Sequence, residues 1–165
     1  MYGGRDISHL FRESMLDVYA IREALKRNPD ARSIEGIYQN IVKDAVNFES
    51  WGHEQLLRNA VLLATMLKIH NLKTNQIRRI LEIANQIHLK LKTKKAENIE
   101  ADLIKMRYLL AYAVARASHR ERGIEYLHKI LEPMLQMTNE KNFEKFYEFL
   151  QAVVAYHKFF GGREE

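Results

Sequence analysis

The chain reads Leu72-Lys-Thr-Asn-Gln-Ile-Arg-Arg-Ile-Leu81 near its centre, and this stretch sets the pattern for the rest. Thr74 is an N-cap residue type, so we expect a helix to begin there. Apolar residues then recur at helical spacing, at Ile77, Ile80, Leu81, Ala84, Ile87 and Leu91. Arg79, Gln86 and Lys90 fall together on another face. The pattern therefore predicts a packed helix that presents a basic stripe to solvent.

The same helical spacing extends over most of the sequence. Alternating apolar–polar runs are absent, and the chain has only two prolines. We therefore predict an all-α fold, a helical bundle of about five to seven helices with an N-terminal helical extension. The predicted helical stretches are 7–25, 33–48, 51–69, 74–90, 99–119, 122–137 and 143–157.

Local signals indicate where several of these helices begin and end. Ser33 is a candidate N-cap for the second helix. Pro133 should kink the sixth helix or end it early. Gly161 and Gly162 supply the backbone freedom that commonly closes a helix. Residues 60–67 are apolar on most sides, so we expect them to be buried in the core or against a second copy.

Composition indicates a folded protein that works inside the cell. The chain has 165 residues, 47% of them hydrophobic, and no cysteine, so disulfides and thiolate metal sites are excluded. No apolar run is long enough to span a bilayer, and we expect a cytoplasmic location without membrane contact. We expect residues 1–70 and 71–165 to belong to one domain. The first part either completes the bundle or mediates self-association.

Positive charge is concentrated in the middle of the chain. Residues 1–70 hold nine basic and nine acidic residues, residues 71–129 hold thirteen and six, and residues 130–165 hold four and six. The central block continues into the lysine-rich connection of residues 90–95. A localised basic block is typical of a protein with an anionic partner, although a solvated lysine-rich surface would look similar.

Catalytic motifs are almost absent. The seven histidines are scattered, and the sequence contains no zinc-hydrolase motif, no glycine-rich phosphate loop and no nucleophile elbow. We therefore expect no enzyme activity, no cofactor and no metal. One weak alternative is a HEPN-like, metal-independent ribonuclease, because Arg122 and His128 have a spacing similar to the Arg–His signature of that class. Another alternative is a helical scaffold protein that dimerises through residues 60–67.

The predicted fifth helix carries the clearest binding surface. Lys105, Tyr112, Arg116 and His119 share one face. Arg107 points roughly opposite to Arg116, so one of these two arginines is a candidate for a structural ion pair. Arg120 and Arg122 add charge beyond the predicted helix end. Cationic contacts to phosphate give salt-dependent binding that is insensitive to sequence. We therefore predict a nucleic-acid-binding face that contacts the phosphate backbone.

Three stretches together resemble one family. They are the 72–81 stretch quoted above, Lys105-Met-Arg-Tyr-Leu-Leu-Ala-Tyr-Ala-Val-Ala-Arg116, and Val153-Val-Ala-Tyr-His-Lys-Phe-Phe-Gly-Gly162. In order and spacing they are similar to the small subunit of type III-A CRISPR effector complexes, the second subunit of the Csm assembly. The resemblance covers residues 71–162, and residues 1–70 are not matched by the shorter members.

The resemblance implies a non-catalytic role in antiviral defence. Copies of the small subunit stack along a ribonucleoprotein filament, beside the Csm backbone subunits that hold the guide RNA, and help to hold the target RNA. RNA cleavage belongs to the backbone subunit, and DNA cleavage to the large polymerase-like subunit. Base pairing supplies the sequence specificity, as in other guided effectors.

Site residues follow from the matched motifs and from the basic surface. Arg79 and Arg116 are the strongest candidates for phosphate contact. The complete set of predicted RNA-binding residues is Lys73, Gln76, Arg78, Arg79, Lys90, Lys105, Arg116, Arg120 and Lys158.

Overall fold

In the computed structural model, which describes residues 5–93 and 98–162, the chain forms seven α-helices and no β-strand. This confirms the all-α bundle. Residues 94 and 95 of the predicted basic connection lie outside the described ranges. The helices are α1 (Val18–Leu25), α2 (Arg32–Asp44), α3 (His53–Ile69), α4 (Thr74–Lys92), α5 (Glu100–Arg116), α6 (Gly123–Met137) and α7 (Phe143–Phe159).

Helix α3 lies at the centre of the bundle, and its stretch from residue 59 to residue 67 is buried on every side. Residues 59–67 are all at most 3% exposed. The helix packs most extensively against α7 and also contacts α1, α2 and α6. Because residues 60–67 are buried within the chain, they cannot form the dimer contact that the scaffold hypothesis requires. The scaffold hypothesis is therefore wrong about the residues that would form the dimer contact.

One hydrophobic core runs through most of the chain, with buried side chains from Ile7 to Val153. A smaller cluster joins α1 to the end of α7 and includes Ile21, Val61 and Phe160. Side chains from before and after residue 70 therefore pack together in both clusters.

The predicted first helix is interrupted. A 3₁₀ segment covers Ser8–Phe11, and α1 begins only at Val18. Arg58 of α3 donates to the carbonyls of Phe11, Glu13 and Ser14, so these carbonyls are turned towards α3. The Asp17 carboxylate then accepts from the amide of Ala20 and starts α1 afresh.

The second predicted helix also divides, because α2 ends at Asp44 and a 3₁₀ segment follows at Ala45–Ser50. Ser33 is not its N-cap, since α2 begins one residue earlier. The Ser33 hydroxyl instead donates to the carbonyl of Asp30 and accepts from the amide of Ile7. It therefore ties the N-terminal segment to α2.

Helix α4 begins as predicted at Thr74, but its cap is different. Lys73 occupies the N-cap position, and Gln76 Oε1 accepts from its backbone amide at 2.8 Å. Thr74 is buried, and its hydroxyl has no hydrogen-bond partner among the described residues. A glutamine at the third helical position has replaced the expected threonine cap.

Three other predicted ends can be compared with the structure. Helix α5 ends at Arg116 rather than at residue 119. Pro133 lies inside α6, which continues to Met137, so the prediction of an early end is wrong. Buried Met134 and Leu135 hold the last turn against the core. Gly161 has φ of 91° and closes α7 as predicted.

Candidate nucleic-acid interface

Helices α4 and α5 form an antiparallel pair with a groove between them. At one end, Lys90 Nζ lies 3.1 Å from Oδ2 of Asp102 at the start of α5. At the other end, Lys73 Nζ lies 2.7 Å from Oε2 of Glu121, just beyond the end of α5. These two contacts show that the start of α4 lies beside the end of α5 and the end of α4 beside its start.

The corner between α3 and α4 fixes where the groove begins. Asn71 adopts φ of 62°, and the amide of Leu72 donates to the carbonyl of Leu67 at 2.9 Å, closing α3. The amide of Gly123 donates to the carbonyl of His70, also at 2.9 Å. A Cβ atom at Gly123 would lie 2.8 Å from the Leu72 amide nitrogen. Only glycine allows the start of α6 to approach this corner so closely.

We call the depression between the two helices the α4–α5 groove. It consists of two adjoining parts that share Asn75 and Arg79. Two carboxylates, Glu82 and Glu121, lie along it. Five cationic side chains line it, namely Lys73, Arg78, Arg79, Lys105 and Arg116. Its charge is therefore predominantly positive.

Arg79 and Arg116 reach the same groove from opposite helices. Both side chains are exposed. Within residues 5–93 and 98–162 neither forms an ion pair, and the Arg116 guanidinium lies 5.4 Å from the centre of the Tyr112 ring. The two arginines therefore have the shared surface that phosphate binding requires.

Comparison with known proteins bears on the whole of this region. The family model for Csm2 of type III-A systems matches residues 52–163. A protein described as CRISPR system Cms protein Csm2, from Streptococcus thermophilus, is 28% identical over 93 residues, covering 56% of this chain and 76% of that protein. The chain belongs to the Csm2 family. Its members are small subunits of type III-A CRISPR complexes, as the three sequence motifs indicate.

The Csm2 match is longer than those motifs imply. It begins at residue 52 and so includes all of α3, whereas the motifs cover only residues 71–162. Helices α1 and α2 lie outside it. The family region therefore contains the central helix of the bundle as well as the α4–α5 groove.

Two of the candidate residues also have structural roles. The Lys73 ammonium is paired with Glu121, and this hydrogen bond lowers the pKa of the Glu121 carboxyl. Gln76 caps α4 through its side-chain oxygen. Both still line the groove, but the ion pair offsets much of the Lys73 charge.

Three candidates do not line the described groove. Lys90 is paired with Asp102. Arg120 is exposed, and its carbonyl accepts from the Asn71 side chain. Lys158 lies in the last turn of α7. The structure thus brings together Lys73, Gln76, Arg78, Arg79, Lys105 and Arg116, but not these three.

The fifth-helix face is shorter than the sequence predicts. Because α5 ends at Arg116, His119 leaves that face and borders a separate pocket with Arg122. Arg107 donates to Oε2 of Glu132 on α6 at 2.6 Å, so of the two opposed arginines Arg107 is the one that forms a structural ion pair. The Glu132 carboxyl consequently has a lowered pKa.

The proposed ribonuclease pair does not share a pocket. Arg122 donates to Oε1 of Glu125 at 3.2 Å. His128 Nε2 instead lies 3.8 Å from Oε1 of Glu132, one turn further along α6. The pocket beside Arg122 does not include His128. The two residues are therefore held by different carboxylates.

Sequence reasoning missed several residues of the groove. Asn75 and Glu82 lie four residues before and three residues after Arg79, so helical spacing alone places them on its face. Glu121 carried no such signal, because it lies in the connection between α5 and α6 and reaches Lys73 only through the fold.

The described residues contain neither a metal-binding cluster nor a membrane-spanning helix. In residues 5–93 and 98–162, no group of three or more His, Asp or Glu side chains is arranged to hold a metal ion. None of the helices in those ranges is both long enough and apolar enough to cross a membrane.

Proposed function

We propose that this chain is a non-catalytic small subunit that binds the backbone of guide and target RNA through the α4–α5 groove. The observation that carries the proposal is the meeting of Arg79 and Arg116 on one exposed groove. Phosphates entering the groove would meet both guanidinium groups, which form strong charge-assisted hydrogen bonds. Binding of this kind depends on salt and not on sequence.

The proposed partners follow from membership of the Csm2 family. They are guide RNA, target RNA, the Csm backbone subunits, the large polymerase-like subunit and further copies of this chain. Base pairing between guide and target would supply specificity, so a groove that contacts only phosphates is sufficient.

The test is RNA binding by the double variant Arg79→Glu with Arg116→Glu. Fluorescence anisotropy across a salt titration should show severalfold weaker binding and a shallower salt slope, with nearly unchanged thermal unfolding. Lys43→Glu with Lys141→Glu makes the same charge change outside the groove and should bind better than the groove variant. Equal RNA affinity of the two double variants would show that the α4–α5 groove is not the RNA-binding surface.

The absence of catalysis is tested separately. Purified protein incubated with labelled single-stranded RNA and a chelator should leave the RNA intact. Cleavage that His128→Ala abolishes would instead support the ribonuclease alternative.

A further inference from the structure

We infer that the α4–α5 groove takes RNA at an unpaired nucleotide, whose base stacks on Tyr112. This inference rests on the proposed function and names the form of RNA that the groove prefers. A continuous duplex offers phosphates and 2′-hydroxyls but keeps its bases stacked inside the helix. An unpaired nucleotide also offers the face of its base.

The tyrosines of α5 differ from the others in the described part of the chain. Tyr19, Tyr38, Tyr126, Tyr147 and Tyr156 each contact another aromatic ring within the bundle. Tyr108 and Tyr112 contact none, and they are 58% and 61% exposed. More than half of the surface of each of these two residues is therefore exposed to solvent.

Tyr112 is placed where a base would arrive with its phosphate. It lines the groove beside Arg79 and Arg116. The Arg116 guanidinium is close enough to its ring for a cation–π contact. Tyr108 lies one turn earlier on the same helix and is also exposed, so a second ring stands next to the first.

The chemistry of the groove favours RNA over an apolar partner for this ring. Five cations against two carboxylates attract a polyanion, and an aromatic platform beside cations is how proteins hold single strands. Stacking accepts every base, because every base has a flat face. The contact therefore adds affinity without adding sequence specificity, in agreement with the proposed function.

The experiment uses three labelled RNAs that share one backbone length. The first is a continuous duplex, the second has two unpaired nucleotides at its centre, and the third has abasic residues at those two positions. We expect the wild-type protein to bind the second about five- to tenfold more tightly than the other two. Equal affinity for the unpaired and abasic RNAs would overturn the inference.

Variants connect this preference to Tyr112. Tyr112→Leu should abolish the preference and leave the salt slope unchanged, whereas Tyr112→Phe should retain it. Tyr19→Leu is the matched control, because Tyr19 is 66% exposed but lies outside the groove. Circular dichroism should show that all three variants are folded.

Failure of the inference can be separated from failure of the proposed function. If Tyr112→Leu keeps the preference while the Arg79 and Arg116 variant binds weakly, the stacking inference is wrong and the proposed function stands. If the Arg79 and Arg116 variant binds all three RNAs normally, the proposed function is wrong. If Tyr112→Leu changes only the sedimentation of the RNA-free protein, Tyr112 is a contact between copies and the inference is wrong.

Discussion

The ammonium of Lys73 and the carboxylate of Glu121 are 2.7 Å apart, which places a negative charge at one end of the α4–α5 groove. This ion pair joins the start of α4 to the connection between α5 and α6. It also pairs the Lys73 ammonium, which would otherwise be available to a phosphate entering the groove. The groove is thus partly neutralised by a residue of the same chain.

Glu121→Gln should therefore strengthen RNA binding. Release of Lys73 should raise affinity roughly two- to fivefold at low salt and steepen the slope of log affinity against log salt by up to about one. Glu140→Gln, an exposed carboxylate outside the groove, is the control for the change in net charge. An equal gain in both variants would show that only net charge matters.

Gly123→Ala should destabilise the protein. The added Cβ would meet backbone atoms of Leu72, which cannot move aside as a flexible side chain would. Overpacking of this kind costs about 1–3 kcal/mol, measured by denaturant unfolding.

Gly36→Ala is the matched control for that change. Gly36 lies within α2, and a Cβ there would meet nothing within 4 Å. Alanine at such a position should stabilise the protein by about 0.5–1 kcal/mol. If both variants had the same stability as the wild type, the close approach at Leu72 would not be a constraint.

Arg107→Ala should show whether Arg107 stabilises the fold or binds RNA. Arg107 lies on α5, as Arg116 does, but its guanidinium is paired with Glu132 and is absent from the groove. A partly exposed pair of this kind contributes about 0.2–1 kcal/mol to stability. We expect a small loss of stability with normal RNA binding. Weakened binding in a correctly folded variant would extend the interface to this side of α5.

The sequence alone predicts the helical bundle and the exposure of the groove arginines, because helical spacing depends only on neighbouring residues. Helical spacing places Ile77 and Ile80 inward and Arg79 outward without reference to the rest of the fold. Features that depend on distant residues were missed. Arg58 interrupts the first helical stretch through carbonyls more than forty positions away.

The same limit applies to the site. Arg79 and Arg116 are on separate helices, and the periodicity of each helix predicts that its own arginine is exposed. The sequence alone does not show that Glu121 pairs with Lys73 or that Asp102 pairs with Lys90. These pairs, and the places of Lys90 and Arg120 outside the groove, depend on the antiparallel packing of α4 and α5. Spacing therefore predicts which face a residue occupies, and only the fold determines which charges remain unpaired.

Burial of His157 should make stability depend on pH. The ring is fully buried. Burial has the largest effect and lowers its pKa, against a smaller opposing effect of a hydrogen bond with the Leu72 backbone, and the nearby charge of Lys68 also lowers it. The unfolded chain therefore binds a proton near pH 6.5 that the folded chain does not bind until lower pH. Stability should be complete above about pH 6.5 and should fall as the pH decreases.

His157→Leu should reduce this pH dependence, because leucine has no proton to bind. Urea unfolding of the wild type between pH 7.5 and pH 5 should show a falling midpoint, and the variant should show a smaller fall. Part of the fall should remain, since burial also lowers the pKa of His70. His53→Leu, at an exposed position, should follow the wild-type profile. An unchanged profile in His157→Leu would mean that this buried ring does not couple protonation to folding.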